Sequence, residues 1–257
     1  MGWPPSPGFA ETVDRPTVMI LNLRRRKAAL WKRWQRSPRN PLSTIVSVNT
    51  SDPLVALTFD DGPDPVFTPQ LLDILARHGA KATFFMVGEQ AEASPDLVAR
   101  VVHEGHVIAN HTVDHPSMPD LSGRGRRRQI RACNTLLGPS AARLFRPPYG
   151  HQTKASRLDA WLTGHDVVAW SSDVEDWLFQ SAEVFADRIK ATFRPGAIVL
   201  LHDGICGGTD PASSNRGPML EGLDRALTAS SEFSFLTLPD IFRRGTPHRT
   251  AWSWTGA

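Results

Sequence analysis

Leu54-Val55-Ala56-Leu57-Thr58-Phe59-Asp60-Asp61-Gly62-Pro63 is an apolar run that ends in two adjacent carboxylates and a Gly-Pro pair. Neighbouring side chains of a regular strand point to opposite faces, so Asp60 and Asp61 can serve one site only where the strand breaks. Gly62-Pro63 supplies that break. Taken alone, an acidic turn is the simpler account, because Asp, Gly and Pro are common turn residues. The flanking sequence decides whether the run opens a larger design.

On its N-terminal side, residues 44–48 read as a second strand, and a turn over 49–53 joins the two as an opening hairpin. On its C-terminal side, Thr68 and Pro69 read as N-cap and first residue of a helix that turns Leu71, Leu72 and Leu75 inward and ends at Gly79. A strand over 82–87 follows. Ser94-Pro95 repeats the start signal for a helix ending at Gly105, with a short strand over 106–109 behind it. Helices near 125–137, 153–163, 181–192 and 218–229 then alternate with strands near 143–146, 166–170, 197–201 and 234–238. Repeated strand–helix units predict a parallel sheet, open or closed into a barrel.

The 257 residues, 40% of them hydrophobic and 21% charged, suffice for one substantial core. We expect a basic arm over 1–42, one catalytic domain over 43–246 and a tail over 247–257, whose Trp252 and Trp254 show no periodicity. The net charge of +3 is uneven: residues 1–50 hold nine Lys/Arg against two Asp/Glu, which leaves the remainder mildly acidic. Basicity confined to an arm gives no support to nucleic-acid binding by the domain. Within the arm, Leu30, Trp31 and Trp34 interleave with Lys32, Arg33 and Arg36, so residues 24–36 read as a basic amphipathic helix able to touch an anionic membrane surface or to dock its tryptophans on the domain. No apolar run approaches the roughly 18–20 residues that cross a bilayer, and 18–23 is too short for a signal-peptide core. The chain as given reads as non-secreted, cytoplasmic or peripheral at a membrane, and nothing in it points to an oligomer. Cys133 and Cys206 are too few for a disulfide framework and read as free thiols.

The polar clusters share one position. Asp60-Asp61, His111 with His115, Arg146, Asp173 with Asp176, and His202 each lie at or just past the C-terminal end of an expected strand, the edge that carries the active site in barrel enzymes. His111 and His115 converge on one metal if the segment between them makes about one turn, and a nearby Asp completes a three-ligand site suited to zinc, cobalt or iron. Arg146-Pro147-Pro148-Tyr149-Gly150 is a stiff turn holding the single tyrosine of the chain. His202, emerging from Ile198-Val199-Leu200-Leu201 near a carboxylate, is a candidate general acid. Each cluster alone also fits a purely structural role; their coincidence at one edge is what argues for a site.

Thr58-Phe59-Asp60-Asp61-Gly62, His111-Thr112-Val113-Asp114-His115, Arg146-Pro147-Pro148-Tyr149-Gly150, Asp173-Val174-Glu175-Asp176-Trp177 and Ile198-Val199-Leu200-Leu201-His202, in this order, resemble the five signature segments of the polysaccharide deacetylase family, the NodB-homology domain of carbohydrate esterase family 4. The likeness spans about residues 43–242. It implies a distorted (β/α) barrel that removes N-acetyl groups from N-acetylglucosamine-containing oligo- or polysaccharides with one divalent metal, zinc or cobalt. It implies Asp61, His111 and His115 as ligands, Asp60 as base and Arg146 as its orienting partner. It further implies the Tyr149 N–H as an oxyanion donor, Asp173 tuning His202 as acid, and Trp177 and Leu200 around the acetyl methyl. A small N-acyl metabolite, an O-acetylated polysaccharide, or sugar binding without hydrolysis are the alternatives. The loop over 203–217, rich in Gly and following His202 directly, is expected to border the cleft.

Overall fold

A computed structural model describes Met1, residues 40–207 and residues 211–252. The basic segment 24–36 and the end of the tail, Trp254 included, lie outside the described residues. The chain divides into Met1–Asn40 and Pro41–Ala257, and the architecture below is that of the second unit.

Ten strands form one sheet: β1 (Thr44–Asn49), β2 (Leu54–Asp60), β3 (Ala82–Met86), β4 (Val107–Asn110), β5 (Leu144–Phe145), β6 (Asp166–Val167), β7 (Ser172–Asp173), β8 (Ala197–His202), β9 (Ser234–Phe235) and β10 (Thr246–Thr250). Their order is β10-β1-β8-β2-β3-β4-β5-β6, with β7 beside β8 and β9 beside β2. From β8 through β2 to β6 the neighbours are parallel. Past β6, Val168 bridges to Ile45 of β1 and the Ala169 N–H donates to the Ile45 carbonyl at 2.8 Å, so the sheet curls back on itself as the expected distorted barrel.

Alternation along β2 sets the two layers. Val55, Leu57 and Phe59 join the core shared with the outer helices, together with Leu71, Leu75, Val199, Leu201 and Leu223. Leu54 and Ala56 point the other way, into a second core with Phe85, Ala109, Ile198 and Leu200. Continuing the period of two carries Thr58 and Asp60 to that inner face, just as Ile198 and Leu200 are followed by His202 on β8. Asp60 stands opposite His202 in register. The polar site is the end of the inner core, where the apolar layer gives out.

Two expectations require correction. The opening hairpin does not form: β8 lies between β1 and β2, pairing antiparallel with β1 and parallel with β2. Thr68 does not cap its helix, which runs Phe67–Arg77. Asp64 takes that part, its Oδ1 accepting the N–H groups of Val66 and Phe67 at 2.8 and 2.9 Å, while Thr68 sits buried with its hydroxyl on Asp203. The tail, which the sequence leaves unassigned, supplies β10, which pairs antiparallel with β1. The remaining outer helices fall close to expectation, at Pro95–His103, Gly123–Leu137, Lys154–Leu162, Ala182–Thr192 and Gly217–Thr228, and two short ones, Gly88–Ala93 and Leu238–Arg244, were not anticipated. Cys133 and Cys206 are free thiols.

Candidate active site

At the C-terminal mouth of the barrel a cleft of about 350 Å³ is lined by Asp60, Asp61, His111, His115, Tyr149, Asp173, Trp177, Leu200 and His202, every sequence-derived candidate except Arg146 and Asp176. Arg146 lies beneath it, wholly buried.

The two carboxylates reach one site because Asp61 leaves the strand with φ of 73°, in the left-handed region. Asp60 stays on the inner face, where Arg146 Nη1 donates to its Oδ1 at 2.7 Å. Arg146 is fixed by further bonds to the Thr58 hydroxyl at 2.8 Å and the Ala169 carbonyl at 2.9 Å, with its guanidinium 4.2 Å from the Phe85 ring centroid. An arginine held by four groups can hold a carboxylate in one orientation.

Asp61, His111 and His115 bring their ligand atoms within 4.8 Å of one another. The turn between the histidines is built on left-handed residues, Thr112 at φ 70° and His115 at φ 60°, and the Thr112 hydroxyl accepts the His115 N–H at 3.1 Å. His111 Nδ1 meets the Arg146 carbonyl at 2.8 Å, which makes Nδ1 the protonated nitrogen and leaves Nε2 as a lone pair facing Asp61. Asp61 Oδ2 is taken by the Cys206 N–H at 2.8 Å. Its Oδ1 lies 3.3 and 3.1 Å from the two Nε2 atoms, yet it is buried without a hydrogen bond of acceptable geometry. An orphaned carboxylate oxygen converging with two imidazole Nε2 atoms is the donor set of a divalent cation, and the residues fit one. Burial alone would raise the Asp61 pKa, but imidazoles that donate to it, with the proton standing where a cation would, and the charge of His202 outweigh it and hold the carboxyl well below its ordinary range.

His202 does not take Asp173 as its partner. Its Nδ1 meets Asp176 Oδ1 at 2.7 Å, and its backbone N–H donates to Asp176 Oδ2 at 2.9 Å. Glu175, at φ 54°, reverses the chain between the two acids, and Asp176 ends fully buried while Asp173 remains at the cleft wall. Arg216 closes the array, Nη2 donating to Asp176 Oδ2 at 2.6 Å and Nη1 to the Asp176 carbonyl at 2.7 Å. Burial opposes a charged His202, but Asp176 overcomes it, with help from Asp61 and Asp60, and the imidazole pKa rises to about 9. Desolvation pushes Asp173 up to about 6.

Tyr149, at φ 59°, stands over the cleft with its ring 4.6 Å from that of His115. The next residue must be glycine: φ is 67°, and a Cβ at Gly150 would meet the Trp170 ring at 2.7 Å. Trp252 braces this turn from behind, donating Nε1–H to the Gly150 carbonyl at 3.3 Å and packing edge-on against Trp170 at 5.3 Å. The loop after His202 borders the cleft as expected, through Ile205, Cys206 and Gly207.

Sequence reasoning missed Arg216, Trp170 and the part played by Cys206. Trp170 carried a usable signal, since it closes the expected strand 166–170 at the same edge as the other site residues. Arg216 carried none, lying in a stretch of loop-forming residues.

The polysaccharide deacetylase family model matches residues 47–168. A chitooligosaccharide deacetylase of Sinorhizobium fredii is 39% identical over 205 residues, covering 76% of this chain and 94% of its own length. A peptidoglycan-N-acetylglucosamine deacetylase of Bacillus cereus is 37% identical over 194 residues, with 74% and 68% covered. Among solved structures, a peptidoglycan N-acetylglucosamine deacetylase in complex with 4-naphthalen-1-yl-N-oxidanyl-benzamide superimposes with a TM-score of 0.70 at 35% identity, covering 79% of this chain and 94% of that one.

Proposed function

This chain belongs to the polysaccharide deacetylase family, and from that premise we propose that it hydrolyses the N-acetyl groups of N-acetylglucosamine units in chitin-like or peptidoglycan-like oligo- or polysaccharides. The observation that carries the reading is the pairing of two separately held proton-transfer groups in one cleft, Asp60 on Arg146 and His202 on Asp176, with the Asp61, His111 and His115 ligand set beside them.

Amide hydrolysis needs a nucleophile at neutral pH, a place for the oxyanion and a proton for a poor leaving group. A divalent cation held by Asp61, His111 and His115, zinc or cobalt by the nature of these donors, would supply Lewis acidity toward the acetyl carbonyl and toward water. Asp60 accepts a proton from the attacking water through the oxygen that Arg146 leaves free. The Tyr149 N–H, on its rigid turn, donates to the developing oxyanion. His202 delivers its Nε2 proton to the departing amine; at neutral pH the raised imidazole pKa keeps that proton in place. Trp177 and Leu200 wall the apolar end of the cleft, where an acetyl methyl fits. Asp173 shares the wall without a hydrogen bond to the His202 ring and stands where substrate would meet it. The presence of a candidate base and a candidate acid in one cleft favours hydrolysis over sugar binding alone.

The test is acetate release by the metal-loaded chain from chitooligosaccharides, peptidoglycan, acetylated xylan and small N-acetyl sugars, with Asp60→Asn as control. The expected result is turnover of the N-acetylglucosamine polymers or oligomers and a loss of about 10²–10⁴ in kcat for the variant with its metal retained. Release confined to xylan or to small metabolites would overturn the substrate class. Near-normal activity of Asp60→Asn would overturn the assignment of the base.

A further inference from the structure

On the outer side of the barrel the helices Gly123–Leu137 and Lys154–Leu162 pack side by side. Arg126 and Arg127 both reach across to Asp159, Arg126 Nε at 2.6 Å. Asp159 is the sole acid in either helix, and it is buried and doubly paired, so the exposed surface of the pair is free of acidic side chains. Ile130, Cys133 and Leu137 on the first helix, and Ser156 and Ala160 on the second, face inward.

The outward faces are regular. Arg124, Arg128 and Arg131 recur at helical spacing, are exposed, and have no acidic partner among the described residues. On the helix packed against theirs, Leu158, Trp161 and Leu162 form an apolar triad at 40%, 44% and 52% exposure, spaced i, i+3, i+4 on one face. Lys154 adds a further exposed cation at the start of that helix. None of these residues lines the cleft.

We propose that this two-helix face seats on an anionic lipid bilayer, with Trp161 and its leucines entering the boundary between headgroups and acyl chains and the arginines meeting lipid phosphates. The charge selects the occupant. A second copy would set arginines against arginines, and residues 24–36 are themselves basic, whereas a bilayer bearing negative headgroups matches both the cations and the tryptophan beside them. Seating on this face does not depend on which sugar the cleft accepts, and it engages none of the residues that line the cleft.

Co-sedimentation of the full chain with phosphatidylglycerol–phosphatidylcholine vesicles, against vesicles of phosphatidylcholine alone, tests it. Binding to the anionic vesicles, weakened by salt, is expected. Neutralising one arginine should weaken binding about fivefold, so the triple variant R124Q/R128Q/R131Q should lose on the order of a hundredfold. Trp161→Ser, which leaves every charge in place, should also weaken it several-fold, a loss that attraction by the basic segment 24–36 cannot produce. Both variants should keep the wild-type unfolding temperature and deacetylation of a soluble substrate. Unchanged affinity of both variants, equal binding to neutral vesicles, or no binding to anionic vesicles would each overturn the proposal. So would binding to soluble polyglutamate that matches the vesicles in strength and ignores Trp161→Ser, which would mark a polyanion site.

Discussion

Replacing Asp176 by Asn removes one negative charge and keeps the shape of the side chain. Asp176 accepts from the His202 ring at 2.7 Å and stands first among the groups that lift the imidazole pKa to about 9 against its own burial. Without the carboxylate, burial acts with less opposition and the pKa falls toward or below the ordinary value of about 6.5. At pH 7.5 a group with pKa near 9 is almost fully protonated, whereas one at 6.5 is about one-tenth protonated, so the charge state alone costs roughly tenfold in acid. Loss of ring orientation adds to this, for a total within the range of about 10²–10⁴ seen for positioned proton donors. The sign fixes the shape of the profile. Wild-type activity should persist up to about pH 9 and fall above it as His202 loses its proton, while the variant's falling limb should move below neutrality. Acetate release across pH, read together with an NMR titration of the His202 ring, measures both. Arg216, which loses its carboxylate partner, should also lower the unfolding temperature of the variant. Asp173→Asn should leave the falling limb where it is, because Asp173 does not touch the ring. If Asp173→Asn moved that limb and Asp176→Asn did not, the partner deduced from the geometry would be wrong.

His111→Ala and His115→Ala should each abolish stoichiometric binding of zinc or cobalt, measured by elemental analysis after dialysis, with acetate release lost in parallel; full retention of metal in both would refute the ligand set. Gly62→Ala should destabilise the domain by a few kcal/mol and depress activity, since its Cβ would sit 2.1 Å from the buried Asp203 carboxylate beneath the Asp60–Asp61 turn. Denaturant unfolding checks this, and a midpoint like the wild type would mean that Asp203 moves aside without cost.

The legible parts of the molecule were those governed by local rules. Alternation along β2 and β8, together with polar residues where the apolar runs stop, is enough to put Asp60, His111 and His202 at one barrel edge. The illegible parts depended on contacts distant in sequence. No feature of residues 44–59 announces that Ala197–His202 will insert between the two strands. The choice between Asp173 and Asp176 turns on one left-handed residue, Glu175, in a position where glutamate gives no conformational warning. Thr68 looked like a helix cap because threonine before proline usually is one. Asp64 had already taken the free N–H groups, and the threonine hydroxyl was left for Asp203.

Arg146 also bears on how such a protein can change over generations. Its guanidinium is fully enclosed, and Asp60 is its ion-pair partner among the described residues. A buried cation stripped of its counter-charge costs about 3–5 kcal/mol, a large part of a domain's stability. Substitutions at Asp60 that leave Arg146 no acceptor are therefore removed as folding defects even in a lineage that no longer needs hydrolysis, whereas Asn, whose amide oxygen can still take the Arg146 hydrogen bond, is tolerated at smaller cost. Decay of activity should begin elsewhere, at positions such as His202 whose loss leaves no charge stranded in the core, and a silent descendant of this barrel would be expected to retain its Asp60–Arg146 pair as an architectural relic long after the chemistry had gone.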